Sequence, residues 1–251
     1  VLNSSGQTIT ISSGTGGGNI DFSERIDATA SGSNAEGLTI LSGTGTTVVD
    51  KGIGTQTALG DLTIGASQAG AITLSGSVGA DAAAGAAVML IGNSDTSTLT
   101  LSGADYNSGS SAQTYTADAF VINGTDPTFT SSNAAIKFVD GASSDIILSD
   151  TANLTIRTSG GLIDIEPEII GTADGANTTV TMNAGSGNIV LDNTGVGVIH
   201  TDIGAVSLTS SGTITISDNI TTDGENINFV GDVVLNSSGQ TITISSGTGG
   251  G

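Results

Sequence analysis

Three carboxylate side chains alternate with other residues in the second half of the chain: Asp164, Glu166 and Glu168 occupy positions i, i+2 and i+4. On a β-strand, alternate residues point to the same side, so this spacing would place all three carboxylates on one face. Several oxygen ligands on one face suit a divalent cation such as Ca²⁺, and a pair of carboxylates is also the acid/base arrangement of glycoside hydrolases. We favour a solvated outer face interrupted by Pro167, with a Ca²⁺ site as the chemical alternative.

A second acidic stretch contains Asp140, Asp145 and Asp150 and admits the same two interpretations. The ordered Gly/Asp nonapeptides that mark calcium-binding β-rolls are absent from the sequence. Ca²⁺ is therefore the only cofactor that the sequence suggests, and the three alternating carboxylates are its candidate ligands.

Nucleophilic catalysis would depend on His200, which is the only histidine. Its candidate carboxylate partners are Asp192 and Asp202. A strained Gly-x-Ser-x-Gly elbow is absent, and Gly185–Gly187 has the composition of a turn between strands. The four cationic side chains are too scattered in sequence to form a clamp for phosphate or uronate groups: Arg25, Lys51, Lys137 and Arg157. The residues therefore favour a protein that is not an enzyme.

The composition excludes several other classes of protein. The chain has 251 residues with 24 acidic and 4 basic side chains, which gives a formal net charge of −20. This charge argues against a nucleic-acid partner, because such proteins present basic surfaces. Cysteine is absent, which excludes a disulfide scaffold and a Cys-ligated metal site. No apolar run approaches the ~18–20 residues of a membrane-spanning helix, so we expect no membrane span within these residues.

Short apolar–polar–apolar triplets recur along the chain. Their period of two is typical of half-buried β-strands, and turns rich in Gly, Ser, Asn and Asp separate them. The triplets are Ile9–Ile11, Leu38–Ile40, Leu62–Ile64, Ile72–Leu74, Leu99–Leu101, Ile136–Phe138, Leu154–Ile156, Val180–Met182, Val206–Leu208, Ile214–Ile216 and Ile227–Phe229. The sequence therefore predicts an all-β fold, with one exception at Asp81–Val88, which fits either one or two helical turns or a small-residue loop.

Residues 1–18 and 234–251 have the same sequence, VLNSSGQTITISSGTGGG. Because the offset is 233 residues, we interpret residues 1–233 as one full tandem unit and residues 234–251 as the start of the next identical unit, continuous with it. Val1 and Val234 would then occupy equivalent positions in the structure. Neither end has the polar cap that an open-ended repeat array requires, so we expect a longer protein in which signal and anchor segments lie outside these residues.

The spacing of the triplets distinguishes among the all-β architectures, which include sandwiches, barrels, propellers and β-solenoids. Leu38 and Leu62 lie 24 residues apart, and Leu154, Val180 and Val206 are separated by 26 and 26. These intervals fit a solenoid whose coils have roughly 20–30 residues and two or three strands. At ~4.8 Å per coil, a 233-residue unit would form about nine or ten coils and roughly 45 Å of rod.

Several phrases of the sequence resemble the coils of filamentous-haemagglutinin-type surface proteins. They are the recurrent Leu-Thr-Ile…Ser-Gly phrase and the strings Gly18–Phe22, Gly161–Ile165, Asn226–Phe229 and Gly231–Leu235. That family consists of giant bacterial exoproteins, often exported by two-partner secretion. The resemblance implies a right-handed parallel β-helix in a secreted or cell-surface rod that serves as an adhesin, sheath or filament.

We therefore expect a structural, non-enzymatic segment of a long extracellular β-solenoid. Its expected partners are neighbouring identical units joined end to end, with lateral self-association into filaments or a sheath as a further mode. One alternative is a solenoid module that binds glycan or ice. Only 3% aromatic residues speak against the glycan version, and irregular spacing of the Thr-x-Thr triplets speaks against a continuous ice-binding array. A β-helix enzyme that degrades polysaccharides is the other alternative, and the single histidine speaks against it.

Overall fold

The computed structural model describes residues 1–65, 70–80, 83–141, 144–172, 178–192, 198–200, 202–237 and 239–247. Over these residues the chain winds into a parallel β-solenoid of about nine turns. The predicted all-β solenoid is therefore confirmed.

The strands are short, and each coil contributes two or three of them. In chain order they are β1 (Thr8–Ser12), β2 (Ile20–Phe22), β3 (Gly37–Leu41), β4 (Thr47–Val49), β5 (Leu62–Ile64), β6 (Ile72–Leu74), β7 (Gly79–Ala80), β8 (Ala83–Ala84), β9 (Met89–Gly92), β10 (Leu99–Leu101), β11 (Asp105–Asn107), β12 (Gln113–Ala117), β13 (Phe120–Ile122), β14 (Thr128–Ser131), β15 (Ile136–Asp140), β16 (Asp145–Leu148), β17 (Leu154–Thr158), β18 (Ile163–Ile165), β19 (Glu168–Gly171), β20 (Val180–Asn183), β21 (Ile189–Leu191), β22 (Ile199–His200), β23 (Val206–Ile216), β24 (Ile220–Thr221), β25 (Ile227–Leu235) and β26 (Ile244–Ser245).

Three hydrogen-bonded ladders run along the solenoid, so each coil has three faces. Face 1 consists of β1, β3, β5, β9, β12, β15, β18 and β21, and face 2 of β2, β4, β6, β10, β13, β16, β19, β22, β24 and β26. Face 3 consists of β11, β14, β17 and β20, and in earlier coils it continues as bridges joining Ile26, Ile53, Val78 and Tyr106. β23 and β25 run through the corner between face 3 and face 1, so their first halves extend face 3 and their second halves extend face 1.

The core is built from inward residues that stack between successive coils. On face 1, Leu38 pairs with Leu62 and Ile40 pairs with Ile64, and all four side chains are buried. The polar residue between them, Thr39, is only half-buried. Because side chains alternate along a strand, each apolar–polar–apolar triplet sends two side chains into the core and one outward. Among the described residues, the interior strands of faces 1 and 2 have a neighbour on both sides, so these two ladders present no free strand edge between the end coils.

Of the two alternatives for Asp81–Val88, the structure favours the loop over the helix. β7 and β8 form a short antiparallel pair in which Gly79 lies opposite Ala84 and Ala80 opposite Ala83; residues 81–82 lie outside the described residues. Elsewhere in the described ranges the helical segment is a single 3₁₀ turn at Gly32–Asn34. None of the helical structure described is long and apolar enough to cross a membrane.

Five of the seven aromatic side chains lie together inside the middle coils and are fully buried: Tyr106, Tyr115, Phe120, Phe129 and Phe138. Tyr106 stacks on Phe129 with ring centroids 4.7 Å apart, and Tyr115 stacks on Phe138 at 5.0 Å. An edge-to-face contact between Tyr115 and Phe129 joins the two stacks at 5.3 Å. Such pairs add to the stabilisation that burial alone provides.

A buried glutamine lies beside the aromatic cluster. The Nε2 group of Gln113 donates hydrogen bonds to the backbone oxygens of Tyr106, at 3.0 Å, and Thr130, at 2.6 Å. Its Oε1 accepts a hydrogen bond from the Tyr115 hydroxyl at 2.9 Å. Burial raises the pKa of the Tyr115 hydroxyl well above its usual value, so this group stays a donor. Because both ends of the amide are bonded, the core tolerates it.

Glycine is required at the corner between face 3 and face 1. A Cβ on Gly187 would collide with the carbonyl oxygen of Gly161, which lies one coil below. A Cβ on Gly161 would collide in the same way with the carbonyl oxygen of Ala134. The missing side chains therefore let successive corners approach to the spacing of the strands.

Candidate functional site

The three alternating carboxylates lie around a corner of the solenoid and not on one strand. β18 ends at Ile165 and β19 begins at Glu168, so Asp164 belongs to face 1 and Glu168 to face 2. Glu166 lies at the corner between them, next to the buried Pro167. The inward–outward alternation continues through the bend while the backbone changes direction. The period of two therefore predicted the side of the backbone on which each residue lies, but Asp164 and Glu168 do not share one face.

Each of the three carboxylates contacts a different part of a neighbouring coil. Asp164 Oδ2 lies 2.7 Å from Lys137 Nζ, its partner in register on β15. Glu166 Oε2 accepts a hydrogen bond from the backbone nitrogen of Asp140 at 3.1 Å. Glu168 Oε2 lies 2.9 Å from His200 Nε2. These contacts tie consecutive coils together on the outside of the solenoid.

The second acidic stretch meets the first at the same corner. Asp140 Oδ1 accepts a hydrogen bond from the backbone nitrogen of Ser144 at 2.8 Å, and Asp145 is the register partner of Glu168. Burial raises the pKa of the Asp145 carboxyl, and the charges of Glu168 and Asp140 raise it further, while His200 opposes the shift. Asp150 lies apart from this corner, on the exposed turn after β16. We call Asp140, Asp145, Glu166, Glu168 and His200 the acidic corner.

Within the described ranges, no group of three or more His, Asp or Glu side chains is arranged to hold a metal ion. Asp164 already faces the ammonium group of Lys137, which would compete with a cation. The Ca²⁺ site at Asp164, Glu166 and Glu168 therefore gains no support from this geometry and stays a prediction.

The candidate catalytic residues lie on different sides of the solenoid. His200 is on face 2 in contact with Glu168. Ser186 lies at the corner between face 3 and face 1, where its backbone nitrogen donates to the Ser159 oxygen at 3.2 Å. Asp192 follows β21 on face 1, and Asp202 lies before β23 with a φ of 54°. This arrangement suggests no nucleophile–base–acid geometry.

The Thr-x-Thr triplets are divided among the three faces, but face 3 aligns hydroxyl side chains that the spacing did not reveal. Thr128, Thr155, Thr181 and Ser207 are register partners in four consecutive coils. We call this row of register partners the hydroxyl file. The spacing of the Thr-x-Thr triplets does not predict it, because Thr155 and Ser207 belong to no such triplet. The file ends at Asn228 above and at Asp105 below.

A shallow groove runs beside this hydroxyl file. Its lining includes Thr130, Ser132, Arg157, Ser159 and Asn183, and none of the described side chains that line it is acidic. Thr130, Arg157 and Asn183 are register partners in consecutive coils. In a chain with a net charge of −20, the groove is a local surface of hydroxyl, amide and guanidinium donors.

The two ends of the solenoid expose apolar side chains that the middle coils bury. Val233 and Leu235, which pair with the buried Ile214 and Ile216, are 39% and 54% exposed. At the opposite end, Ile9 and Ile11 on β1 are half-buried beneath Leu38 and Ile40. Within the described residues β25 pairs with β23 alone, and β1 with β3 alone. Both ends therefore combine an open strand edge with an uncovered apolar core.

The two copies of the repeated sequence occupy different faces. In the first copy, the backbone nitrogen of Leu2 donates to the oxygen of Asp27, next to face 3, and Thr8–Ser12 forms β1 on face 1. In the second copy, Val234 and Leu235 lie on face 1, and Ile244–Ser245 forms β26 on face 2. Val1 and Val234 therefore do not lie on the same face, and their equivalence in successive units stays a prediction.

Comparisons of the chain with family models, with curated proteins and with solved structures find no match. The structure itself supports a β-solenoid, and the finer likeness to filamentous-haemagglutinin-type proteins rests on the sequence phrases alone.

Proposed function

We propose that this chain is a structural repeat segment of a long extracellular β-solenoid that serves as an adhesin stalk, sheath or filament. The observation that carries the proposal is the pair of ends at which, among the described residues, no further coil covers Val233 and Leu235 or Ile9 and Ile11. The repeated sequence supplies the cover, because it begins the same unit again at residue 234.

Covering the ends is favourable for two reasons. Burying an exposed Val, Leu or Ile side chain contributes about 1.5–3 kcal/mol, and a further coil pairs the open backbone groups of the end strand. A stack of coils has these gains at every junction, so the unit is more stable within an array than by itself.

The charge of the unit fits a rod in an extracellular medium. A net charge of −20 recurs with every unit and keeps parallel rods apart unless cations screen it. The absence of cysteine accords with a bacterial exported protein that depends on no disulfide. Lateral association into a sheath would then depend on salt or divalent cations.

Proteins made of one, two and three copies of residues 1–233 test the proposal. In negative-stain electron microscopy each added copy should lengthen a rod of constant width by roughly 45 Å. The free energy of unfolding should rise more than in proportion to the copy number, because each junction removes two uncovered ends. Separate compact particles joined like beads would contradict the proposal.

A second candidate function is glycan binding in the groove of face 3. Among the described residues that line the groove, Arg157 is the one with a charge, and hydroxyl and amide groups surround it. This lining suits a glycan that carries carboxylate or sulfate groups. The Arg157→Gln protein should bind such a glycan about tenfold or more weakly, while Lys51→Gln, at an exposed position elsewhere, should not. If the parent, Arg157→Gln and Lys51→Gln proteins bind the glycan equally in a titration, this candidate function is excluded.

A further inference from the structure

We propose that consecutive tandem units are joined with an offset of one face, so that face 1 of each unit continues face 2 of the unit before it. The proposal rests on the tandem arrangement proposed above and adds the geometry of the junction. It defines the last coil, formed by β25 and β26, as a surface whose partner is the next copy of this unit in one particular rotational setting.

The first copy of the repeated sequence fixes the setting at the start of a unit. Thr8–Ser12 pairs along its whole length with Gly37–Leu41 on face 1. Just beyond it, the backbone nitrogen of Ser13 donates to the oxygen of Leu41 at 3.0 Å. Ile20–Phe22 then begins face 2. The segment therefore runs from face 3 through face 1 to face 2.

The second copy shows a different setting at the end of the unit. Its Ile244 and Ser245 pair with Ile220 and Thr221 on face 2. Backbone hydrogen bonds from Ile220 to Thr243 at 3.0 Å, from Thr222 to Ser245 at 3.0 Å and from Gly224 to Ser246 at 2.6 Å hold the segment there. Ile11 and Ser12 of the first copy thus lie on face 1, and their counterparts Ile244 and Ser245 lie on face 2.

The offset follows from the number of turns in one unit. Face 1 contains ten strand positions from β1 to the second half of β25, which is nine turns. Ile244, the counterpart of Ile11, lies one face beyond the ninth turn. A unit of 233 residues therefore makes nine turns and about one third of another, and a following unit that starts from the second copy begins one face later.

The junction accepts this offset because the inward side of the strands is apolar on face 1 and on face 2 alike. Ile11 pairs beneath Ile40 on face 1, and its counterpart Ile244 pairs with Ile220 on face 2, so the same side of the strand faces the core in both settings. All three ladders have the strand spacing of a parallel sheet. A row of inward apolar side chains on one face of a unit can therefore be continued by such a row from any face of the next unit. The rotational setting of the next unit then depends on the total length of the coils in one unit and not on a difference between the faces.

Pairs of introduced cysteines in the 251-residue chain distinguish the two settings, because the chain has no cysteine of its own. In the observed setting Val234 is the outward register partner of Thr215 on face 1. If the second copy repeated the setting of the first, Thr243, the counterpart of Thr10, would lie above Thr215 in its place. Register partners on neighbouring strands have the Cα separation that a disulfide requires.

Under mild oxidation, the Thr215→Cys/Val234→Cys protein should form an intramolecular disulfide that mass spectrometry of the digested protein detects, and the Thr215→Cys/Thr243→Cys protein should not. The Thr221→Cys/Ser245→Cys protein, whose two positions pair on face 2, should also form the bond. A bond in the Thr215→Cys/Thr243→Cys protein, or in neither of the first two, would overturn the offset.

The outcomes for the junction and for the proposed function are separable. If the rods of tandem units lengthen as expected but Thr215→Cys/Thr243→Cys forms the disulfide, the proposal of a tandem array is supported and the proposal of the offset is refuted. If Thr215→Cys/Val234→Cys forms the disulfide but tandem units do not build rods, the setting of the last coil stands and the structural role falls.

Discussion

The middle coils and the end coils use the same kinds of residue with different results. On β17, the inward Ile156 is fully buried between register partners on β14 and β20. On β1, the inward Ile11 has a partner on β3 alone and is half-buried. In a solenoid a residue is buried by the coils above and below it, so the position of its coil in the stack decides what the residue contributes.

The largest expected difference between these regions concerns the aromatic cluster. Phe129→Ala removes a ring that stacks on Tyr106 and meets the edge of Tyr115, and it should lower the free energy of unfolding by about 3–5 kcal/mol. Phe22→Ala, in the first coil, removes a half-buried ring and should cost clearly less. Urea denaturation of both proteins measures the two values, and equal losses would contradict the comparison.

A matched pair of isoleucines gives the next largest difference. Ile156→Ala should lower the free energy of unfolding by about 2–4 kcal/mol, because the cavity would lie between two covering coils. Ile11→Ala should lower it by about half as much or less, since one side of Ile11 is already open. Thermal unfolding followed by circular dichroism should show the larger loss for Ile156→Ala. Equal losses would show that the end coil is covered in solution.

Substitution of a corner glycine should also cost more stability in a stacked coil than in the first coil. Gly187→Ala would force its Cβ against the carbonyl oxygen of Gly161, and the shift of backbone needed should cost about 1–3 kcal/mol. Gly16→Ala is the control, because a Cβ there meets no atom within 4 Å. We expect its stability to stay within about 0.5 kcal/mol of the parent. A neutral Gly187→Ala protein would mean that the corners stack less closely than the structure shows.

The smallest expected effect is a pH dependence confined to the first coils. The Glu36 carboxylate accepts hydrogen bonds from the Thr29 hydroxyl and from the backbone nitrogens of Thr29 and Ser4. These bonds, of which the one from the hydroxyl has the largest effect, lower the pKa of Glu36 from 4.5 to about 2 against the opposing effect of burial. A lowered folded-state pKa means that this stabilisation is complete above pH 4.5 and is lost as the pH falls towards 2.

Amide hydrogen exchange at pH 5 and pH 3 should therefore show lower protection at the acid pH around Ser4 and Thr29, while β17 in the middle coils keeps its protection. Thr29→Val removes the largest cause of the pKa shift and should reduce the difference. Equal loss of protection in both regions would show that acid acts on the whole solenoid and not on this contact.

The sequence predicted the side on which each strand residue lies but not the face to which each strand belongs. The alternation of Leu154, Thr155 and Ile156 sets inward and outward side chains by itself, because the period of two needs no tertiary information. The face depends on where the backbone bends, and the alternation around Glu166 and Pro167 runs through a corner unchanged. Local pattern therefore could not reveal that Asp164 and Glu168 diverge.

The aromatic cluster has a signal of its own in the sequence, apart from the apolar–polar–apolar triplets. Tyr106 and Phe129, and likewise Tyr115 and Phe138, are each separated by 23 residues, which is one coil of this region. Equal separations between rings would have predicted the two stacks. The setting of the second copy of the repeated sequence had no comparable signal, because it depends on the summed lengths of all the coils before it.

The direction of the backbone hydrogen bonds has a mechanical consequence. The strands lie across the long axis, so the bonds between coils lie along it, as those between Ile156 and its partners on β14 and β20 do. A pulling force on the two ends loads these bonds in series, and the coil with one neighbour peels first. Each coil of roughly 25 residues that peels away adds on the order of 80 Å of extended chain. Under tension the rod would lengthen in steps and not break at once.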